Sequence, residues 1–232
     1  MTAVNQAPKP ALSRECIESC TLRNGFRILT DYVPWAEIVT LGIHIEAGSR
    51  DDPDRKAGLA HFLEHAMFRG TKHRDYIEIA TGVERNGGYL DAYTTKEQTC
   101  IFLRCLPQFT EPCLDLLADL VCNPVFPETE LEKEKAVVLE EISSVNDTPE
   151  ELVFEEFDRH LFGTHPLGRP ILGTRQSLLS LSADELRSFM ADFYRPETMF
   201  LTAIGNVRHE KIVKLAERYL PKIGRASCRE RV

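Results

Sequence analysis

Two histidines and a glutamate are grouped in the run His61-Phe62-Leu63-Glu64-His65. On an α-helix these three side chains project within an arc of about 100°, so they share one face. Two imidazoles four residues apart are suited to Zn²⁺, and a neighbouring carboxylate that is not a ligand can take a proton from a metal-bound water. The alternative is that both histidines are ordinary residues on a solvated helix face. The spacing predicts a metal centre in which Glu64 accepts a proton.

The surrounding residues indicate how this helix is held in place. Apolar residues recur at helical spacing on the side opposite the histidines: Leu59, Phe62, Leu63, Ala66 and Met67. Gly70 then ends the run. We expect the apolar side to anchor the helix in the core, which leaves the polar side for chemistry.

A second predicted helix carries glutamates close to its buried side. It opens at Pro127, runs to about Ser144 and has an apolar stripe at Leu131, Val138 and Ile142. Glu134 and Glu141 lie to one side of that stripe, whereas Glu140 points to the opposite side. Glu141 can therefore reach a partly buried site, and Glu140 is expected to lie in water.

The remaining pattern predicts strands and helices in mixed order. Strands are expected over residues 16–22, 26–33, 38–46, 99–106 and 200–205, the first three forming one meander. Further helices are expected over residues 76–85, 109–122, 148–163, 182–193 and 211–220. The predicted fold is α+β, with several helices packed on a mixed β-sheet in one domain.

Three motifs resemble the pitrilysin family of zinc metallopeptidases, which includes insulin-degrading enzyme and the mitochondrial processing peptidase. They are GLAHFLEH at 58–65, VVLEEI at 137–142 and HPLGRPILGT at 165–174, and the similarity extends over most of residues 15–222. The resemblance implies a metallohydrolase fold of the pitrilysin type. It also implies an activity, the hydrolysis of peptide bonds in unfolded or presequence-like polypeptides.

The resemblance implies a role for each residue of the centre. His61, His65 and Glu141 would bind one Zn²⁺, and Glu64 would take a proton from a water and pass it to the leaving amine. Glu134 would orient a ligand or the water; a plain surface role is its alternative. Mn²⁺ or Co²⁺ also suits two histidines and a glutamate.

The resemblance also suggests where a substrate binds. GGYLDAYT at 87–94 is similar to a family segment in which an edge strand and an asparagine hold the substrate backbone. Here Asp91, followed by Ala92, replaces that asparagine; Asp91 offers no amide donor and either contacts the substrate differently or only caps a turn. Glu151 and Glu155 match acidic positions that bind arginine in the processing peptidases, although a charged helix face is commonly just solvated.

Composition limits the classes of function. The net charge is −8, which disfavours nucleic acid as a partner, and no apolar run is long enough to span a membrane. Without an apolar signal core or an Arg-rich start, a cytoplasmic location is predicted over the mitochondrial matrix. The seven cysteines contain no Cys-x-x-Cys pair and are expected to be free thiols.

The ends of the sequence suggest a piece of a longer protein. Residues 1–14 are expected to be a flexible N-terminus, and residues 223–232 resemble a translated sequencing adapter, a non-native tail. Family members build their chamber from two related halves or paired subunits, so a second homologous domain or a partner subunit is expected. Without that half the chain can be inactive. The alternatives to a peptidase are a noncatalytic partner subunit and a zinc hydrolase of another substrate.

Overall fold

A mixed β-sheet forms the frame of the molecule. The computed structural model describes residues 17–220. Its strands are β1 (Ile17–Thr21), β2 (Arg27–Tyr32), β3 (Val39–Ile45), β4 (Tyr89–Thr94), β5 (Thr99–Cys105) and β6 (Met199–Gly205). They lie in the order β1-β2-β6-β3-β5-β4, and β2 with β6 is the parallel pair among otherwise antiparallel neighbours. The predicted α+β fold with a mixed sheet is confirmed.

Eight α-helices accompany the sheet within residues 17–220. They are α1 (Leu59–Met67), α2 (Tyr76–Glu84), α3 (Thr110–Cys122), α4 (Glu128–Asp147), α5 (Pro149–Phe162), α6 (Arg175–Leu179), α7 (Ala183–Phe193) and α8 (His209–Tyr219). None of these described helices combines the length and hydropathy that a membrane crossing requires. The short helix α6 was not predicted from the sequence pattern.

The predicted meander of the first three strands is wrong. β1 and β2 form a hairpin, but β6 lies between β2 and β3 and is hydrogen-bonded to both. The connection from β2 to β3 spans residues 33–38, which is longer than a tight hairpin turn. Pairing between strands distant in sequence therefore replaces the pairing of sequence neighbours.

Two other elements differ from the sequence pattern. α4 extends three residues beyond Ser144, to Asp147. The first residue kept out of the helical conformation is Thr148, because the ring of Pro149 clashes with the residue that precedes it. Strand β4 was expected from the family resemblance and not from the pattern of residues. The predictions for residues 1–14 and 223–232 lie outside the described residues.

The core lies between one face of the sheet and the helices. On β3, four alternate residues are completely buried: Val39, Leu41, Ile43 and Ile45. The apolar side of α1 joins the same cluster, and each of its five apolar residues is at most 1% exposed. The prediction that this side anchors the helix is confirmed.

The start of α1 is held by a carboxylate from the preceding loop. Asp52 is 4% exposed and accepts hydrogen bonds from the backbone N–H groups of Gly58 (2.7 Å) and Ala60 (2.9 Å). These are donors that the first turn of a helix leaves unpaired. Gly58 is in the left-handed region (φ 91°), and a Cβ there would lie 2.5 Å from the carbonyl oxygen of Leu172. The loop that contains Leu172 is thereby packed against the helix that carries the histidines.

The cysteines within residues 17–220 agree with the prediction of thiols. Cys100, Cys105 and Cys113 are buried and Cys20 is half-buried, and none of these four forms a disulfide. Cys16 and Cys228 lie outside the described residues. The core therefore holds its cysteines as small apolar side chains.

Removing the carboxylate that holds α1 is expected to destabilise the domain. Asp52→Ala leaves buried N–H groups unpaired and lowers the free energy of unfolding by about 2 kcal/mol in urea denaturation. Asp54→Ala is the control, since Asp54 is 91% exposed and only pairs with Arg169 at the surface; its cost is below about 1 kcal/mol. Equal costs for the two variants would contradict the capping role.

Candidate metal centre

Three potential ligands converge where α1 faces α4. Oε2 of Glu141 lies 3.8 Å from Nε2 of His61 and 3.6 Å from Nε2 of His65. Ligand atoms of the three residues all lie within 4.8 Å of one another, and within residues 17–220 they are the one such group of three or more His, Cys, Asp or Glu side chains. The structure thus brings together the three residues predicted as ligands.

This donor set fits a zinc ion. Two imidazole nitrogens and one carboxylate oxygen are the protein ligands of many catalytic zinc sites, which leave a fourth position for water. In a tetrahedral site with bonds of about 2.1 Å, neighbouring donor atoms are about 3.4 Å apart. The two distances to Glu141 are close to that value, as expected for residues that share one ion.

The orientation of α4 selects Glu141. Glu141 is half-buried and faces the histidines, whereas the neighbouring Glu140 is exposed. Val138 is completely buried and Ile142 is packed against the core. The predicted difference between the two adjacent glutamates is confirmed.

Glu64 lies beside the potential ligands without belonging to the group. Glu64 is only 8% exposed, and its Oε2 accepts a hydrogen bond of 2.5 Å from the Thr94 hydroxyl on β4. Only one carboxylate oxygen is occupied by this contact. The other oxygen remains for a water or substrate in the adjoining cleft.

Glu134 contacts His65 at Nδ1, the ring nitrogen that does not face Glu141. It is 2% exposed, accepts a hydrogen bond of 2.9 Å from Nδ1 of His65, and is ion-paired with Arg69. Because an ionised carboxylate can only accept, Nδ1 of His65 carries the proton and the lone pair is on Nε2. That tautomer is the one that a metal ligand at Nε2 requires.

Burial and the neighbouring polar groups shift the pKa values of the site residues. Burial, and then the nearby His65, lower the pKa of His61 to about 3, so its ring is neutral. Burial raises the pKa of Glu64 and the Thr94 hydrogen bond opposes this rise. Burial alone would lower the pKa of His65. The hydrogen bond with Glu134 and the carboxylate of Glu141 outweigh burial, and the pKa of His65 is raised. Glu134 is buried too, yet its bonds to His65 and Arg69 keep its pKa below the usual value.

An open cleft of about 520 Å³ adjoins the group. Four of its walls are α1, β4, α4 and α5, and a fifth is the loop at Ile171 and Leu172. It is lined by His61, Glu64, His65, Glu141, Ala92, Thr94, Glu151 and Glu155, among others. The structure therefore places the predicted residues Ala92, Glu151 and Glu155 beside the potential metal centre.

Asp91 has a different position from these residues. It is in the middle of β4, so the interpretation that it caps a turn is wrong. Its carboxylate accepts hydrogen bonds from the Tyr89 hydroxyl (2.6 Å) and from the Ala92 N–H (2.9 Å), and it does not line the cleft. Because side chains alternate along a strand, Asp91 points to the face of the sheet opposite Ala92.

The two acidic residues of α5 differ in their surroundings. Glu155 lies 3.6 Å from Nζ of Lys96, which is also 3.4 Å from Asp158 and donates to the carbonyl oxygen of Arg169. Glu151 is exposed and has no ion-pair partner among residues 17–220. Of the two carboxylates, only that of Glu151 has no cation beside it among residues 17–220.

Three residues at the site were not identified from the sequence. Thr94 shares a face of β4 with Ala92, a spacing of two that could have indicated it. Arg69 follows His65 by four residues, the spacing of neighbours on a helical face, although α1 ends at Met67. Lys96 gave no signal, because its contact with α5 depends on how distant segments pack.

The sequence matches two family descriptions. Residues 27–175 match Insulinase (Peptidase family M16), and residues 180–229 match the Peptidase M16 inactive domain. Among similar proteins, YmxG of Bacillus subtilis, named an uncharacterized zinc protease, is 38% identical over 88% of this chain and 49% of its own length. The mitochondrial-processing peptidase subunit beta of Neurospora crassa is 35% identical over 89% and 43%. The chain spans about half the length of the curated relatives it matches.

Solved structures show the same fold. A protease from Helicobacter pylori superposes with a TM-score of 0.85 at 23% identity, covering 92% of this chain and 52% of that one. The peptidase M16 inactive domain from Pseudomonas fluorescens gives 0.83 at 22%, covering 93% and 53%. The pitrilysin resemblance is confirmed, and since the first match covers more than half of the sequence, the chain belongs to the insulinase family, peptidase family M16.

Proposed function

We propose that this chain is the catalytic half of a zinc metalloendopeptidase that hydrolyses unfolded or presequence-like polypeptides. The observation that carries the proposal is the convergence of His61, His65 and Glu141 beside Glu64, in a cleft that is open to solvent. The names of the relatives from B. subtilis and N. crassa support the same reaction class.

The residues divide the chemistry among them. His61 and His65 offer neutral Nε2 atoms and Glu141 offers a carboxylate, and together they would hold the ion. A zinc ion bound there supplies Lewis acidity, which acidifies a water and polarises a carbonyl. Glu64 accepts the proton of that water and returns it to the leaving amine. Its burial favours the neutral, proton-carrying form that the second step needs.

Strand β4 is where the substrate backbone would bind. β4 is the last strand of the sheet and pairs with β5 alone among the described strands, so its other edge is free. An extended peptide can add to such an edge through main-chain hydrogen bonds. Ala92 and Thr94 bring this edge to the cleft, next to Glu64.

The acidic wall of α5 favours substrates with basic side chains. Glu151 is the residue free to bind an arginine near the scissile bond, because Glu155 already lies beside Lys96. Asp91 contributes no side chain to the cleft. The strand edge around Asp91 and Ala92 binds backbone rather than side chains.

The complete enzyme includes a second, homologous half. The support is that this chain spans about half of its relatives and that residues 180–229 match a second family description. We propose that this half, in the same chain or in a partner subunit, closes the cleft and supplies further substrate contacts. The alternative of a noncatalytic partner subunit gives no reason for Glu64 to accompany a complete ligand set.

Metal content tests the ligand set. Purified protein is expected to retain about one zinc per chain, and Glu141→Gln is expected to lose it, because an amide oxygen is a poor ligand for Zn²⁺. Glu140→Gln is the matched control and keeps the metal, since Glu140 points to solvent. Mass spectrometry of the native proteins measures the ratio. Retention of zinc by Glu141→Gln would show that the third ligand lies elsewhere.

Glu64→Gln separates binding from chemistry. Because Glu64 is not a ligand, the variant keeps its zinc, but without a proton acceptor kcat falls by about 10²–10⁴-fold. The rate is measured on a quenched fluorescent peptide with the full-length form of the protein. Activity equal to the wild type would assign the proton transfer to another group, and loss of zinc would make Glu64 a ligand.

Charge substitutions on α5 test the acidic wall. For matched peptides that contain arginine or citrulline, Glu151→Gln is expected to reduce the arginine preference in kcat/KM by about threefold. Glu155→Gln has a smaller effect, because Glu155 is already paired with Lys96. Equal preference for the two peptides in the wild type would refute the proposed binding of arginine.

A further inference from the structure

Arg69 is the positive charge that faces the buried carboxylate of Glu134. It lies two residues after the end of α1, and its guanidinium is ion-paired with Oε2 of Glu134. The other oxygen of Glu134, Oε1, accepts the hydrogen bond from Nδ1 of His65. The three side chains form a continuous chain from Arg69 through Glu134 to a potential metal ligand.

The burial of Glu134 makes this contact necessary. At 2% exposure its carboxylate has almost no water around it, and a buried charge requires a partner of opposite sign. When His65 binds a metal its ring is neutral, so the hydrogen bond from Nδ1 brings no full positive charge. Arg69 is then the cation that balances Glu134.

The contact also fixes the direction of the carboxylate. With Oε2 held by Arg69, Oε1 is left directed at His65, and the imidazole is oriented with Nε2 towards Glu141. Lys133 and Lys135 flank Glu134 in sequence, but they pair with Glu130 and Glu132. Neither lysine replaces Arg69 in its contact with Glu134.

We propose that Arg69 is a positioning residue of the metal centre, which acts through Glu134 to hold His65 in the tautomer and orientation that bind the ion. This inference rests on the proposed function, since it presupposes that His65 is a ligand. Arg69 is not one of the potential ligands and acts through its contact with Glu134. The expected consequence is a change in metal affinity.

The experiment measures the zinc dissociation constant by competition with a chromogenic chelator at fixed pH. Arg69→Met is expected to weaken binding by about 10–100-fold, the usual effect of removing a partner behind a metal ligand. Arg69→Lys keeps the charge and restores most of the affinity. Lys133→Met removes a neighbouring exposed charge and leaves the affinity unchanged. Circular dichroism checks that Arg69→Met is folded. If it is not, Arg69→Gln serves as a second neutral variant.

A double variant tests the route of the effect. In a Glu134→Gln background Arg69→Met is expected to cause no further loss, because the contact through which it acts is gone. An equal loss in both backgrounds, or unchanged affinity of folded Arg69→Met and Arg69→Gln, would overturn the inference while the metal centre stands. Failure of the wild type to bind zinc would instead overturn the proposed function, and with it the role of Arg69.

Discussion

The burial of one side of α1 determines the position of everything that could act in this molecule. Phe62, Leu63 and Met67 are completely buried, and burying each such side chain is worth about 1.5–3 kcal/mol. Turning the helix by one residue, about 100°, would move these side chains into the cleft and the histidines into the core. The apolar side therefore fixes the direction of the polar side.

The contacts that join the elements of the site also arrange its chemistry. Glu134 links α4 to the end of α1 and at the same time sets the proton on His65. Thr94 links β4 to α1 and at the same time holds one oxygen of Glu64. The cleft is therefore built mainly from four regular elements, α1, α4, α5 and β4, and from one loop at Ile171 and Leu172. Its precision depends on the packing of regular elements, which are more rigid than loops.

The sequence predicted the parts of the site that depend on local periodicity. The face shared by His61, Glu64 and His65 and the contrast between Glu140 and Glu141 both follow from the geometry of a single helix. The predicted meander was wrong because strand order depends on pairing between segments distant in sequence. Here β6, and not β3, pairs with the free edge of β2. Lys96 was missed for the same reason. For Asp91 the sequence left a substrate contact and a turn cap as alternatives, because a short edge strand of mixed polarity has little periodicity.

The insertion of β6 between β2 and β3 bears on how the protein is made. β6 begins at Met199, whereas the strands β3, β4 and β5 are complete at Cys105, so about 90 residues must be added before the two parts of the sheet can join. At typical rates of protein synthesis this takes roughly 5 to 20 s. During that interval β2 and β3 each present an unpaired edge on the ribosome, the kind of surface that promotes aggregation. Helix α1 is synthesised early, but the sheet that supports it is completed late, so shielding of the nascent chain matters more for this fold than for one built from neighbouring strands.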